Sequence, residues 1–197
     1  MKRGLMSVAV ALGLALAASI GTPESAQAGR FFNVESKKWV TYRSNRRSAK
    51  SPVKRKIVKY GGSYKANTII VDTSERRLYY VMENGKALKY GIGVGREGFQ
   101  WAGNHRISRK AEWPGWTPPP AMRKRQPDLP QYMEGGLNNP LGARALYIGA
   151  TMYRIHGSNE PWTIGQAVSS GCIRMTNEDV SHLYEQVKVG TRVVVQN

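Results

Sequence analysis

The chain has 197 residues, a formal net charge of +17 and one cysteine, Cys172. A lone cysteine excludes a disulfide framework within the chain, and with three scattered histidines it gives no metal-ligand spacing. Charge of this size calls for a polyanionic partner or surface, and the compartment decides which.

The N-terminus follows the plan of a secretory signal. Lys2 and Arg3 form a positive end, Leu5 to Ile20 is almost wholly apolar or small, Gly21 and Pro23 break the run, and Ala26-Gln27-Ala28 is a small-x-small cleavage site. The expectation is a signal peptide over residues 1–28. Its apolar run falls short of the roughly 20 residues that span a bilayer, so no transmembrane anchor is expected after cleavage. No cysteine follows the run to accept a lipid.

Charge is concentrated next. Residues 30–65 carry twelve Lys or Arg against Glu35 alone, whereas residues 66–197 carry sixteen basic and eleven acidic residues. Like charges at this density resist collapse, so residues 29–65 read as a basic, disordered arm. In an exported protein such an arm meets the cell wall and acidic lipid surfaces rather than nucleic acid. A solvated linker without a specific partner is the competing reading.

Residues 66–197 are an ordinary length for one core. Thr68–Asp72 and Arg77–Met82 read as strands. Asn84-Gly85 is a hairpin turn signal leading to a strand at Ala87–Tyr90, which the glycines of Gly91–Gly95 extend with bends. Phe99–Asn139 is rich in Trp and Pro without clear periodicity and reads as an ordered loop or lid over a cleft. Ala145–Gly149 and Tyr153–His156 are two further strands. Asn177 is the expected cap of a short helix carrying Val180, Leu183, Tyr184 and Val187 at helical spacing. Thr191–Val195 closes the chain as a strand. The fold expected is mostly β, with one or two short helices.

Chemistry centres on Ser169-Ser170-Gly171-Cys172-Ile173-Arg174-Met175, with His156-Gly157 sixteen positions before the cysteine. An imidazole can take a thiol proton and so activate a sulfur whose unperturbed pKa is about 8.5. The amides of Gly171 and Cys172 could face the oxygen of a carbonyl under attack. Nucleophile, base and oxyanion donors together are the parts for acyl transfer. Each part also has an inert reading: a buried cysteine, a structural histidine, a surface Arg174. His105 and His182 have no small-residue turn beside them.

Taken together these motifs resemble the L,D-transpeptidase catalytic domain, or YkuD-type, family. Its signature is His-Gly, an Ile-Gly in the spacer, then Ser-His-Gly-Cys-Ile-Arg-Met/Leu. This chain has His156-Gly157, Ile164-Gly165 and Ser169 to Met175, and Asn139-Pro140-Leu141-Gly142 and Trp116-Thr117-Pro118-Pro119 are also similar. Ser170 stands where many members have histidine, which bears on substrate contact rather than on the nucleophile or base. The resemblance implies a β-sandwich or barrel and action on peptidoglycan stem peptides. Cys172 would attack the carbonyl of the third stem residue, usually meso-diaminopimelate, and release D-alanine. His156 would be the base, oriented by the Gly157 carbonyl. Ser169, Ser170, Arg174 and Trp116 would contact substrate. The acceptor would be another stem peptide, an envelope protein, or water, the last making an L,D-carboxypeptidase. No cofactor is implied, the location would be the periplasm, and carbapenems would acylate Cys172. An inactive wall-binding module and a cysteine peptidase of another fold are the rival readings.

Overall fold

The computed structural model describes residues 51–197 in full, together with the backbone of residues 28–33 and 38–43. Apart from Ala28, the expected signal peptide lies outside the described residues. The two backbone segments, β1 (Ala28–Asn33) and β2 (Lys38–Arg43), pair antiparallel with each other and form a separate ribbon.

Short β-rich runs between turn signals build the main sheet. Its strands are β3 (Lys56–Lys59), β4 (Thr68–Asp72), β5 (Arg77–Val81), β6 (Lys86–Gly91), β8 (Gly103–Glu112), β9 (Arg144–Ile148), β10 (Arg154–His156), β12 (Ile173–Arg174) and β13 (Arg192–Gln196). The order across the sheet is β12-β10-β9-β8-β13-β4-β5-β6-β3. Asn84 and Gly85 both have positive φ, as a type I′ hairpin turn between β5 and β6 requires. The C-terminal strand joins the two halves, lying parallel to β4 and antiparallel to β8. A small parallel pair, β7 (Val94–Gly95) with β11 (Ala167–Ser169), lies apart from the sheet.

The expected sandwich or barrel needs one correction: the sheet is open, with β12 and β3 at its two edges. A two-hydrogen-bond bridge between Gly93 and Arg174 ties the β12 edge to the segment after β6. Inward residues such as Ile69, Leu78, Tyr90, Leu146, Ile155 and Val193 are fully buried in one core. Helix α2 (Asn177–Gln186) contributes Val180 and Leu183 to it and packs against β9 and β10. Its cap is Thr176, whose hydroxyl accepts from the Asp179 amide at 3.1 Å, and not Asn177 as expected. Asn177 looks backwards instead, accepting from the amides of Ala143 and Ser158.

Two further expectations change. Residues 56–59, assigned to a disordered arm, are β3, paired antiparallel with β6. Residues 103–112, assigned to the Trp/Pro-rich loop, are the ten-residue strand β8. Only Ile107 of that strand is buried, so its sequence carries little apolar alternation. Arg109 and Lys110 cover Tyr147 and Tyr184 rings with cations at 3.7 and 4.0 Å instead. What remains of the loop is a lid with a core of its own. Trp116, Leu129 and Leu141 are buried together, with Met122 of helix α1 (Pro120–Arg125) and Met133 packed on them. The buried Asn139 side chain donates to the carbonyls of Pro114, Met133 and Glu134 and accepts from the Leu141 amide. Among the described residues no helix is long and apolar enough to cross a membrane.

Candidate active site

Strands β10 and β12 run parallel, with Ile155 opposite Ile173 and His156 opposite Arg174. Side chains alternate across a strand. Ile155 and Ile173 point into the core, so Arg154, His156, Cys172 and Arg174 share the other face. That face forms one wall of a cavity of about 370 Å³, lined by all four residues. The opposite wall comes from the lid, with Trp116, Met122, Arg125 and Leu141. Cys172 lies one position before β12 and His156 ends β10, which makes them diagonal neighbours on adjacent strands.

The imidazole is buried. Its Nδ1 lies 2.5 Å from the Gly157 carbonyl oxygen. A carbonyl only accepts, so Nδ1 carries the proton and Nε2 keeps its lone pair. Gly157 is required by space: a Cβ there would meet Asn177 Oδ1 at 2.2 Å. Burial, with the positive charges of Arg174 and Arg154, pushes the imidazole down to about 3. Burial also pushes the Cys172 thiol up, opposed by a hydrogen bond and positive charge from Arg154 and by the charge of Arg174. The resting pair is therefore neutral thiol and neutral imidazole.

The turn before β12 is held from three sides. The buried Ser169 hydroxyl donates to the Cys172 carbonyl at 2.6 Å and accepts from the Gly171 amide at 3.1 Å. Trp101 Nε1 donates to the Gly171 carbonyl at 2.7 Å. The Tyr153 ring stacks on Trp101 at 4.4 Å and lies where a Cβ on Gly171 would be, at 2.4 Å. Gly171 also has φ +104°, a conformation that favours glycine.

All the expected site residues line the cavity except Gly157 and Gly171, which act through the backbone. The Gly171 amide donates to the Ser169 hydroxyl. Ser169 lines the cavity and shapes the turn with both hydrogen bonds of its hydroxyl. Arg174 is held by Glu160 in a buried ion pair at 3.0 Å. Trp116 lines the cavity while forming the lid core. Ser170 stands on the rim, half-buried. Sequence reasoning missed Arg154, Glu160, Trp101 and Tyr153. Alternation along β10 from His156 could have found Arg154, whereas the other three become visible only once the chain is folded. Among the described residues no cluster of His, Cys, Asp or Glu could hold a metal ion.

A family model for the L,D-transpeptidase catalytic domain matches residues 66–195. The chain belongs to the L,D-transpeptidase family. A probable L,D-transpeptidase of Escherichia coli, ErfK/SrfK, is 41% identical over 134 residues, covering 64% of this chain and 43% of that protein. Another from the same organism, YbiS, is 40% identical over the same length and shares. This chain thus spans under half the length of those relatives. A solved structure from Brucella melitensis, described as a probable carnitine operon oxidoreductase, is 42% identical, covers 77% of this chain and 99% of its own, and has a TM-score of 0.51. The oxidoreductase name belongs to that protein, and the likeness contributes the fold. L,D-transpeptidase 3 of Mycobacterium tuberculosis is 16% identical with a TM-score of 0.52, covering 66% of this chain and 60% of its own, and it too shows the shared fold.

Proposed function

We propose that this domain is a peptidoglycan L,D-transpeptidase that works through a thioester on Cys172. The observation that carries the reading is the shared cavity face. The only cysteine, one position before β12, and a histidine with a free Nε2 lone pair, at the end of the adjacent parallel strand β10, line the same cavity, and the Gly157 carbonyl fixes the tautomer.

His156 Nε2 takes the thiol proton as sulfur bonds to the diaminopimelate carbonyl carbon of a tetrapeptide stem. The Cys172 amide faces the oxygen as it gains charge. The carbon–nitrogen bond to D-alanine breaks, and the His156 proton passes to the departing amine. An acceptor amine then attacks the thioester, loses its proton to His156 and displaces the thiol. With a second stem's diaminopimelate as acceptor, the product is a cross-link between two third-position residues. Because the substrates are cell-wall polymers, the enzyme acts after export, in the periplasm.

The test is intact mass after incubation with a carbapenem, run beside turnover of a soluble tetrapeptide stem. Wild type gains one adduct and releases D-alanine. Cys172→Ala gains none and releases none while keeping its fold by circular dichroism. An adduct on the variant, or D-alanine release by it, would end the assignment.

A further inference from the structure

The catalytic cavity has a charge pattern that proton transfer does not call for. Four arginines line it, Arg96, Arg125, Arg154 and Arg174, and no Asp or Glu does. Arg174 is neutralised from behind by Glu160. The other three have no carboxylate partner among the described residues.

Two of them are gathered deliberately at the rim. Arg96 follows β7 and is anchored by its own amide, which donates to the Ser169 carbonyl at 3.0 Å, in the segment that leads to Cys172. A turn from Arg96 to Phe99, closed by the Phe99 amide on the Arg96 carbonyl, brings the Phe99 ring under the Arg96 guanidinium at 4.4 Å. Arg125, from the last turn of α1 on the lid, approaches the same ring at 5.6 Å. One aromatic ring thus holds a cation from the sheet and a cation from the lid. Farther in, Arg154 Nε is buried without a hydrogen-bond partner. Like charges drawn together around one opening repel unless an anion sits between them, and a guanidinium matches a carboxylate with two parallel hydrogen bonds.

We infer that Arg96 and Arg125, seated on Phe99, form a carboxylate-recognition subsite that selects donor stems by their negative charge. The inference rests on the transpeptidase reading and deepens it. The attacked residue and its leaving group carry two carboxylates, that of the diaminopimelate side chain and that of the terminal D-alanine, and these are the anions the subsite would take. Arg125 belongs to the lid, so the anion also draws the lid toward the sheet.

The experiment compares three soluble stems: the free acid, the diaminopimelate side-chain carboxamide and the terminal D-alanine carboxamide. D-Alanine or D-alaninamide release is followed with wild type, Arg96→Gln, Arg125→Gln and Arg125→Lys. Wild-type kcat/KM is expected to fall about tenfold or more on whichever carboxamide removes the bound charge, mainly through KM. The two Gln variants should lower kcat/KM on the free acid toward the carboxamide value, while Arg125→Lys keeps part of the preference. Equal wild-type kcat/KM on all three stems, with normal thioester formation, overturns the subsite and leaves the transpeptidase reading standing. A preference undiminished in both Gln variants overturns the assignment to Arg96 and Arg125. Failure of wild type to turn over any stem, or to form a thioester, overturns the reading and the subsite with it.

Discussion

At the residue scale, the His156 ring is buried and flanked by two guanidinium groups, which keep it neutral down to about pH 3. Burial holds the thiol above its ordinary range. Both effects disfavour a standing thiolate–imidazolium pair, so the proton moves as the sulfur attacks. Alkylation of Cys172 by iodoacetamide, followed by intact mass across pH, should show no inflection between pH 6 and 7. It should rise only above the usual thiol region near about 8.5. A step near pH 6 would mean that an ion pair is already formed. The same burial has a stability consequence. The unfolded imidazole binds a proton below about 6.5, and the folded one does not until about 3. Native His156 therefore contributes stability above pH 6.5 that is lost as pH falls toward 3. Urea midpoints from pH 7 to pH 4 should drop more steeply for wild type than for His156→Gln.

At the scale of elements, the catalytic turn shows what sequence can and cannot disclose. The His156-Gly157 and Gly171-Cys172 pairs were legible because each is a local motif whose chemistry depends on residue type. The strand that carries the first pair was legible as Tyr153–His156, whereas the two-residue β12 after the second was not. Trp101 was not, since its partner Gly171 is seventy positions away and its neighbours gave no period. Strand β8 was missed because ladder hydrogen bonds to β9 and β13 stabilise it, rather than an apolar face. Trp101→Phe isolates the brace: the ring still stacks on Tyr153, but the bond to the Gly171 carbonyl is lost. The expected cost is about 1 kcal/mol of stability. Turnover should fall several-fold in kcat with KM little changed, because the sulfur, not the substrate, loses its position. An unchanged kcat would show that Ser169 alone holds the turn. Gly157→Ala tests the other strand. Its Cβ must displace Asn177 Oδ1, at a cost of about 1–3 kcal/mol, and the carbonyl that orients His156 shifts with it. Thermal midpoint and kcat should fall together, and wild-type values for both would place Asn177 outside the positioning of the imidazole.

For the whole molecule, the decisive question is where the folded domain begins. The charge step at residue 65 suggested a boundary there, because Lys54-Arg55-Lys56 and Lys59 extend the basic run without interruption. Charge density is a poor guide when the charges find partners. Arg55 pairs at 2.9 Å with the buried Asp179 on α2. Val53 packs against Gly91, where a Cβ would meet it at 2.5 Å. Lys56–Lys59 closes the sheet edge as β3, its lysines suited to an exposed edge strand. The segment from 51 to 59 therefore packs with the domain. Two deletions separate the roles. Removing residues 30–50 takes away seven basic residues and Glu35, and the β1–β2 ribbon pairs with no strand of the main sheet. That variant should keep its thermal midpoint and its turnover of soluble stems, yet bind isolated sacculi less well. The deficit should be greatest at low salt and fade as the Debye length shortens from about 30 Å at 0.01 M to about 8 Å at 0.15 M. Extending the deletion to residue 60 also strips β3 and strands Asp179 without its cation, so the midpoint should fall as well. A shorter deletion that binds sacculi like wild type at low salt would deny the arm any electrostatic part in holding the enzyme to the wall.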